Sequence, residues 1–400
     1  MRNSLLLNIS NLNIKGRRAL VRVDFNVPLN NELRVTDDTR IRRAIPTIKS
    51  LLKAGGSVVL MSHLGRPKDG YSKKLSLKNI IPSLESLLGM PVLFASDCIG
   101  DDALDLTQTL KPGQVALLEN LRFHNEETEG DEFFAGQLAE NGDLYINDAF
   151  GTAHRAHAST AIIARFFPED KAFGELMEAE ITALSRVMTE PSRPLLAIIG
   201  GAKVSSKLAI LENLVEKVDR LIIGGGMAYT FVLAMGGKVG ASLVEEDMVD
   251  RARSILEKAN SCETQIHLPI DTISADNFSA EAKTEICSTD SIRDGWMGLD
   301  IGPESCIEFS EVIKLSKTIL WNGPMGVFEF EAFAQGTYVV ANALKEATEN
   351  GAYTLVGGGD SVAAINSANL ADEVSYVSTG GGAMLEYLEG KVLPGIEAIK

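Results

Sequence analysis

Cysteine is scarce: four among 400 residues, and no two form a C-x-x-C pair. Cys98, Cys262, Cys287 and Cys306 lie far apart, which argues against a disulfide frame or a zinc site and fits reduced thiols in a cytosolic protein. Positive charge is also in short supply. With 38 Lys and Arg against 54 Asp and Glu, the net charge is −16, so wholesale nucleic-acid binding is not expected and a small anion needs a local basic pocket. Long apolar runs are missing. The longest uncharged stretch, between Arg220 and Lys238, contains Gly224-Gly225-Gly226 and reads as strand, glycine turn and buried helix, not as a membrane span. The apolar run from Leu5 to Leu7 stops at Asn8, too soon for a signal peptide. There is no G-x-x-x-x-G-K-[ST], and no G-x-G-x-x-G follows a predicted strand, which speaks against P-loop and nicotinamide-dinucleotide proteins.

What remains is ample for a globular chain of two or three domains, with 45% hydrophobic and 23% charged residues. Short apolar or β-branched runs alternate with helical stretches. Strands are expected at Ala19 to Val23, Ser57 to Met61, Val115 to Leu118, Leu144 to Ile146, Leu195 to Ile199, Arg220 to Ile223, Thr318 to Trp321 and Tyr353 to Val356. Helices are expected at Arg40 to Lys53, Glu132 to Glu140, Lys203 to Val218 and Phe333 to Thr348. Such alternation predicts parallel sheets covered by helices on both faces, in one barrel or two open sheets. Two features favour two sheets. Phe173 to Glu190 has helical periodicity and stops before Pro191 and Pro194, as a linking helix would. Glycine-rich turns before that segment carry Arg and His; those after it carry Gly, Lys and Asp. The expected fold is α/β: two doubly wound parallel-sheet (Rossmann-like) domains joined by a linking helix and hinge. The boundaries are 1–172 with a C-terminal tail of about 390–400, a linker at 173–190, and 191–389.

Open α/β sheets bind ligands beyond the carboxyl ends of their strands. In the first half those ends carry Asp24, Phe25 and Asn26, with Arg40 opening the next helix, then His63, Leu64, Gly65 and Arg66, then Arg122 and His124, then His154, Arg155 and His157. Arg40, Arg66, Arg122 and Arg155 at corresponding positions of an acidic chain predict one anion cleft, because guanidinium grips carboxylate and phosphate bidentately. Asp24 and Asn26 either receive a substrate hydroxyl or orient the guanidiniums. His154-x-x-His157 lacks the Cys or carboxylate frame of a metal site.

In the second half, Gly200-Gly201-Ala202-Lys203 is expected to enter a helix that carries Lys203 and Lys207 on one face, suited to a phosphate chain. Gly224-Gly225-Gly226-Met227 and Trp296-Met297-Gly298 are expected to wall a base. After Trp321, Asn322 is aimed at phosphate oxygens and Glu329 at ribose hydroxyls. The most informative stretch is Val356-Gly357-Gly358-Gly359-Asp360-Ser361-Val362-Ala363-Ala364. A strand runs into three glycines, an acid, a hydroxyl and a new helix. Backbone N–H groups and the helix's positive end suit an oxyanion there, and Asp360 suits Mg²⁺. Thr379-Gly380-Gly381-Gly382 is a further anion-compatible or hinge-like turn.

Taken in order, Val23-Asp24-Phe25-Asn26-Val27-Pro28, Ser62-His63-Leu64-Gly65-Arg66-Pro67, Gly200-Gly201-Ala202-Lys203, Trp321-Asn322-Gly323-Pro324 and Gly357-Gly358-Gly359-Asp360 resemble the phosphoglycerate kinase family. The likeness runs from about residue 10 to 390, with the compact length of bacterial members. It implies direct in-line transfer of the acyl phosphate of 1,3-bisphosphoglycerate to ADP in a closed two-domain cleft, with ATP/ADP as co-substrate and Mg²⁺ as cofactor. It implies that Asp24, Phe25, Asn26, Arg40, His63, Leu64, Gly65, Arg66, Arg122 and Arg155 hold phosphoglycerate. It assigns the nucleotide to Gly201, Lys203, Lys207, Gly225, Gly298, Asn322, Pro324, Glu329, Gly358, Gly359, Asp360 and Ser361, and the metal to Asp360. Arg40, Lys203, Gly359 and Gly382 would act on the phosphoryl group in flight. Ser361 stands where the family more often has Thr, with the hydroxyl kept. Two substrates on two domains imply hinge closure, with hinges at the ends of the linking helix and in Ser378 to Gly390. A cytoplasmic monomer without nucleic-acid or membrane partners is expected. A non-catalytic two-lobed binding protein would not need Lys203, Asp360 and Glu329 together.

Overall fold

The structure is a computed structural model that describes residues 7–68 and 70–400. Leu5 and Leu6 of the N-terminal apolar run lie outside the described residues. The chain divides into two compact units. One extends to Thr182 and takes back Val392–Lys400; the other is Ala183–Lys391.

The first unit is built on six parallel strands: β1 (Arg18–Val23), β2 (Ser57–Met61), β3 (Val92–Phe94), β4 (Val115–Leu117), β5 (Leu144–Asp148) and β6 (Lys171–Phe173). Their order across the sheet is β3-β4-β2-β1-β5-β6. Every residue of β2, β4 and β5 is buried. That is why β2 and β4, and β5 as far as Ile146, read as near-continuous apolar runs without alternation: helices cover both faces. The helix Thr39–Lys53 shows the matching helical period. Ile41, Ala44, Ile45, Ile48 and Leu51 are its buried stripe, and each fully buried branched side chain contributes roughly 2 kcal/mol. The last residues close this unit. Gly395 donates its N–H to Ala153 O at 2.8 Å, Asn147 Nδ2 donates to Gly395 O at 3.0 Å, and Lys171 Nζ donates to Ala398 O at 2.8 Å.

The second unit has six parallel strands as well: β7 (Leu195–Ile199), β8 (Arg220–Ile223), β9 (Gln265–His267), β10 (Thr318–Asn322), β11 (Tyr353–Val356) and β12 (Tyr376–Val377). The order β9-β8-β7-β10-β11-β12 reverses direction between β7 and β10. Such a switch point opens a crevice at the carboxyl ends. A small antiparallel sheet of Asp271–Ala275, Thr284–Ser288 and Met297–Ile301 lies in the same unit.

All eight expected strands form, within a residue or two of their expected ends. Two helical expectations change. The linking helix is Glu175–Met188, because Phe173 is the last residue of β6. The stretch expected as helix from Lys203 begins only at Leu208 and ends at Leu214.

Candidate active site

In the first unit, the β1, β2 and β5 ends and the Leu121–Phe123 turn bring the expected anion-binding residues to one place. Arg40 Nη1 lies 2.8 Å from Asp24 Oδ2, so this carboxylate orients the guanidinium. Asn26 Oδ1 accepts from Gly65 N–H at 2.8 Å, leaving its amide as donor. Arg122 Nη1 donates to Gly65 O at 2.7 Å. The His63–Gly65 loop is held from behind by buried Asn120, which takes Leu64 N–H at 3.2 Å and donates to Leu64 O and Leu75 O at 2.8 Å each. Phe25 is wholly buried, with its N–H on Ser62 Oγ at 2.8 Å. Arg155 is half-buried, its Nε 3.2 Å from His154 Nε2, and Arg66 is exposed.

The electrostatics favour an anion. Burial, then the like charges of Arg22 and Arg155, push Arg122 down to about 10. Burial and the neighbouring cations Arg22, Arg122 and Arg40 hold His63 well below its usual range, so the ring is neutral. His63 Nδ1 lies 3.1 Å from Arg22 Nη2. A guanidinium only donates, so Nδ1 accepts and the ring proton sits on Nε2. Arg22 itself was missed by sequence reasoning. Its signal was a charge inside a strand buried on both faces, which a soluble core tolerates only when it is partnered.

In the second unit the switch point is closed by bare backbone. A Cβ on Gly200 would meet Pro324 O at 2.0 Å, and one on Gly323 would meet Gly200 O at 2.1 Å. Beside this crossing lies a cavity of about 760 Å³, bounded in part by Gly201, Gly225, Gly298, Pro324, Glu329 and Asp360. Tyr229, Leu243, Phe278 and Phe330 give it apolar walls, and the rings of Phe278 and Phe330 are 5.3 Å apart. Gly298 is required because a Cβ there would lie 2.0 Å from Tyr229 Oη. The room and lining suit a nucleoside base.

A second cluster lies at the β10 and β11 ends. Lys207 Nζ hydrogen-bonds Asn322 Oδ1, Asn322 Nδ2 donates to Gly357 O at 2.8 Å, and Ser361 Oγ accepts from Gly323 N–H. Gly358 precedes and Gly359 opens the helix Gly359–Ser367, with exposed Asp360 in its first turn. Burial lowers Lys207, and Asp360 partly offsets this. Gly382 opens the helix Gly382–Leu388, whose Met384 touches the Gly357 backbone position.

Three expectations are corrected. Lys203 and Lys207 do not share a helical face. Ser205 gives its N–H and hydroxyl to Glu245 at 2.9 and 2.6 Å, and Ser206 Oγ bonds Lys203 O. Such serine bonds compete with helix formation and hold residues 201–207 as turns. Lys203 is left exposed on this loop. Asn322 is wholly buried with both ends of its amide engaged, a strut and not an open donor. Trp296 does not border the cavity; it stacks on the Arg293 guanidinium at 4.0 Å.

A chain with a guanidinium-lined anion site on one doubly wound sheet and a base-sized cavity at the switch point of another has the equipment of a small-molecule kinase. The family model for phosphoglycerate kinase matches residues 9–391, and the chain belongs to that family. The phosphoglycerate kinase of Porphyromonas gingivalis is 53% identical over 98% of this chain and 100% of its own length. The cytosolic phosphoglycerate kinase of Triticum aestivum is 52% identical over 96% of each chain. The phosphoglycerate kinase structure from Coxiella burnetii superposes with a TM-score of 0.91 at 42% identity, covering 98% of both chains. The chain is therefore a kinase that reversibly transfers phosphate between 1,3-bisphosphoglycerate with ADP and 3-phosphoglycerate with ATP, a step of glycolysis. Among the described residues, no helix is long and apolar enough to cross a membrane.

Proposed function

We propose that the first unit holds the phosphoglycerate and the second holds the nucleotide. Arg40, Arg66, Arg122 and Arg155 take its anionic groups, with Asp24, Asn26 and the Nε2–H of His63 fixing its orientation. The crowding of like charge around Arg122 carries this reading, because a dianion relieves it. Gly225, Gly298 and Pro324 flank the base, Glu329 faces the ribose, and Lys203, Lys207, Gly358 and Gly359 line the phosphate path, with buried Ser361 bracing it from behind through the Gly323 N–H. Asp360 fits Mg²⁺: an exposed hard carboxylate in the first helical turn, leaving room for water and phosphate oxygens. Bound there, the ion would neutralise phosphate charge.

The substrate carboxylate has no proton to lose, so the site needs no general base. Neutral His63 acts as a donor. Positioning and charge neutralisation by Arg40, Lys203 and the helix starts at Gly359 and Gly382 supply the catalysis. With the two substrates on different units, transfer requires a domain closure that also excludes water. Four free thiols and the name of the wheat relative support a cytoplasmic location. The state proposed is a monomer, which sedimentation would test.

In a coupled assay of ADP formation from ATP, 3-phosphoglycerate and Mg²⁺, Arg40→Ala should lose roughly 10²–10³ in turnover, as for removal of one preorganised donor. Asp360→Asn should raise the Mg²⁺ concentration needed for half-maximal rate. Rates equal to the parent in both variants would overturn the assignment.

A further inference from the structure

Glu127 is wholly out of solvent on the short helix Asn125–Glu129, and the transfer of a phosphoryl group asks for no acid there. Its oxygens accept from Ser159, the backbone N–H at 2.9 Å and the hydroxyl at 2.6 Å. The Ser159 hydroxyl accepts in turn from Arg22 Nε at 2.8 Å. Arg22 is equally buried and delivers Nη2 to His63 Nδ1. An ionised carboxylate only accepts. It therefore obliges the Ser159 hydroxyl to point its proton at Glu127 and its lone pairs at Arg22. The guanidinium is then held in one plane, and a buried cation has a compensating charge, without which it would be costly. Burial pushes the Glu127 carboxyl up, while Arg22, Ser159 and Arg122 pull it back. His157, neutral, has Nδ1 3.8 Å from Glu127 Oε1 and adds no charge.

We propose that Glu127 is a positioning residue of the phosphotransfer site, acting through Ser159 and Arg22 to fix His63 with its Nε2–H presented to the phosphoglycerate. The inference rests on the reading that His63 contacts that substrate. It makes Glu127 and Ser159 determinants of affinity for the acid substrate although neither can touch it.

The test uses the full-length enzyme with nitrogen-15 histidine. Ring spectra of the ligand-free protein near neutral pH report the His63 tautomer, and steady-state kinetics report the two KM values separately. Glu127→Gln places a donor where only an acceptor fits. It should take His63 out of the pure Nε2–H form and raise KM for 3-phosphoglycerate about tenfold, the loss of one charge-assisted hydrogen bond. KM for ATP should change less than about twofold. Ser159→Ala cuts the same chain while keeping the buried carboxylate, and carries the test if Glu127→Gln does not fold. The double variant should be no worse than Glu127→Gln alone. An unchanged His63 spectrum with unchanged KM for 3-phosphoglycerate in the folded variants would overturn the proposal. So would equal losses for both substrates. His63→Ala separates the underlying reading: an unchanged KM for 3-phosphoglycerate there would remove the substrate contact, while the ring spectra of the other variants would still report on the relay.

Discussion

At the scale of single residues, the proposed anion site is a set of ionisable groups held away from their usual behaviour by burial. His157 is pushed down to about 4 and His63 is lowered as well. A histidine depressed in the folded state contributes stability that is complete above its unfolded value of 6.5 and is lost as pH falls through the folded one. His157→Asn should therefore flatten the fall of the urea midpoint between pH 6.5 and about 4. A slope equal to the parent's would contradict the shift. Gly298 makes the complementary point in the second unit. Its missing Cβ leaves space for Tyr229, whose hydroxyl meets Thr272 Oγ1 at 2.7 Å. Gly298→Ala should displace that ring into the cavity, cost about 1–3 kcal/mol of stability, and raise KM for ATP. Isothermal calorimetry with an ATP analogue would measure the loss.

At the scale of elements, the start of the linking helix is a buried carboxylate cap. Asp148, at the end of β5, accepts Met177 N–H at 3.1 Å, and Thr47 Oγ1 accepts Glu175 N–H at 2.9 Å. Burial, the largest influence, raises Asp148 to about 7. For a carboxyl the sign is opposite to that of His157: its contribution is complete below the unfolded value of 3.8 and is lost as pH rises towards 7. Asp148→Asn should remove that decline, seen as a smaller loss of urea midpoint between pH 4 and about 7. The strands on either side were legible because complete burial leaves an unbroken apolar signature, as in Ser57 to Met61. Val92–Phe94 and Tyr376–Val377 were not, since two or three edge residues carry no period. The Lys203 segment misled because helix propensity says nothing of a remote partner such as Glu245 for Ser205. The arginines at strand ends were readable from position alone. Arg22, Asn120 and Glu127 act from inside the fold, and their roles depend on contacts that only tertiary structure supplies.

At the scale of the molecule, the first unit depends on residues from the far end of the chain. Gly395 hydrogen-bonds Ala153, next to His154 and Arg155. Removing residues 392–400 should lower the melting temperature and raise KM for 3-phosphoglycerate, while KM for ATP stays within about twofold, since the residues proposed to hold ATP all belong to the other unit. A truncated chain with parental KM values would show that the tail does not support the anion loop.

That returning tail sets a timetable for biosynthesis. At ribosomal speeds of about 5–20 residues per second, Val392 follows Thr182 by roughly 10–40 s. Throughout that interval the nascent amino-terminal half lacks its finishing piece, while the later-made half, uninterrupted in the polypeptide, is translated without such a gap. The second half to emerge is thus the first that can be finished, and the exposed seam along β5 and β6 is where a holdase would have most to protect.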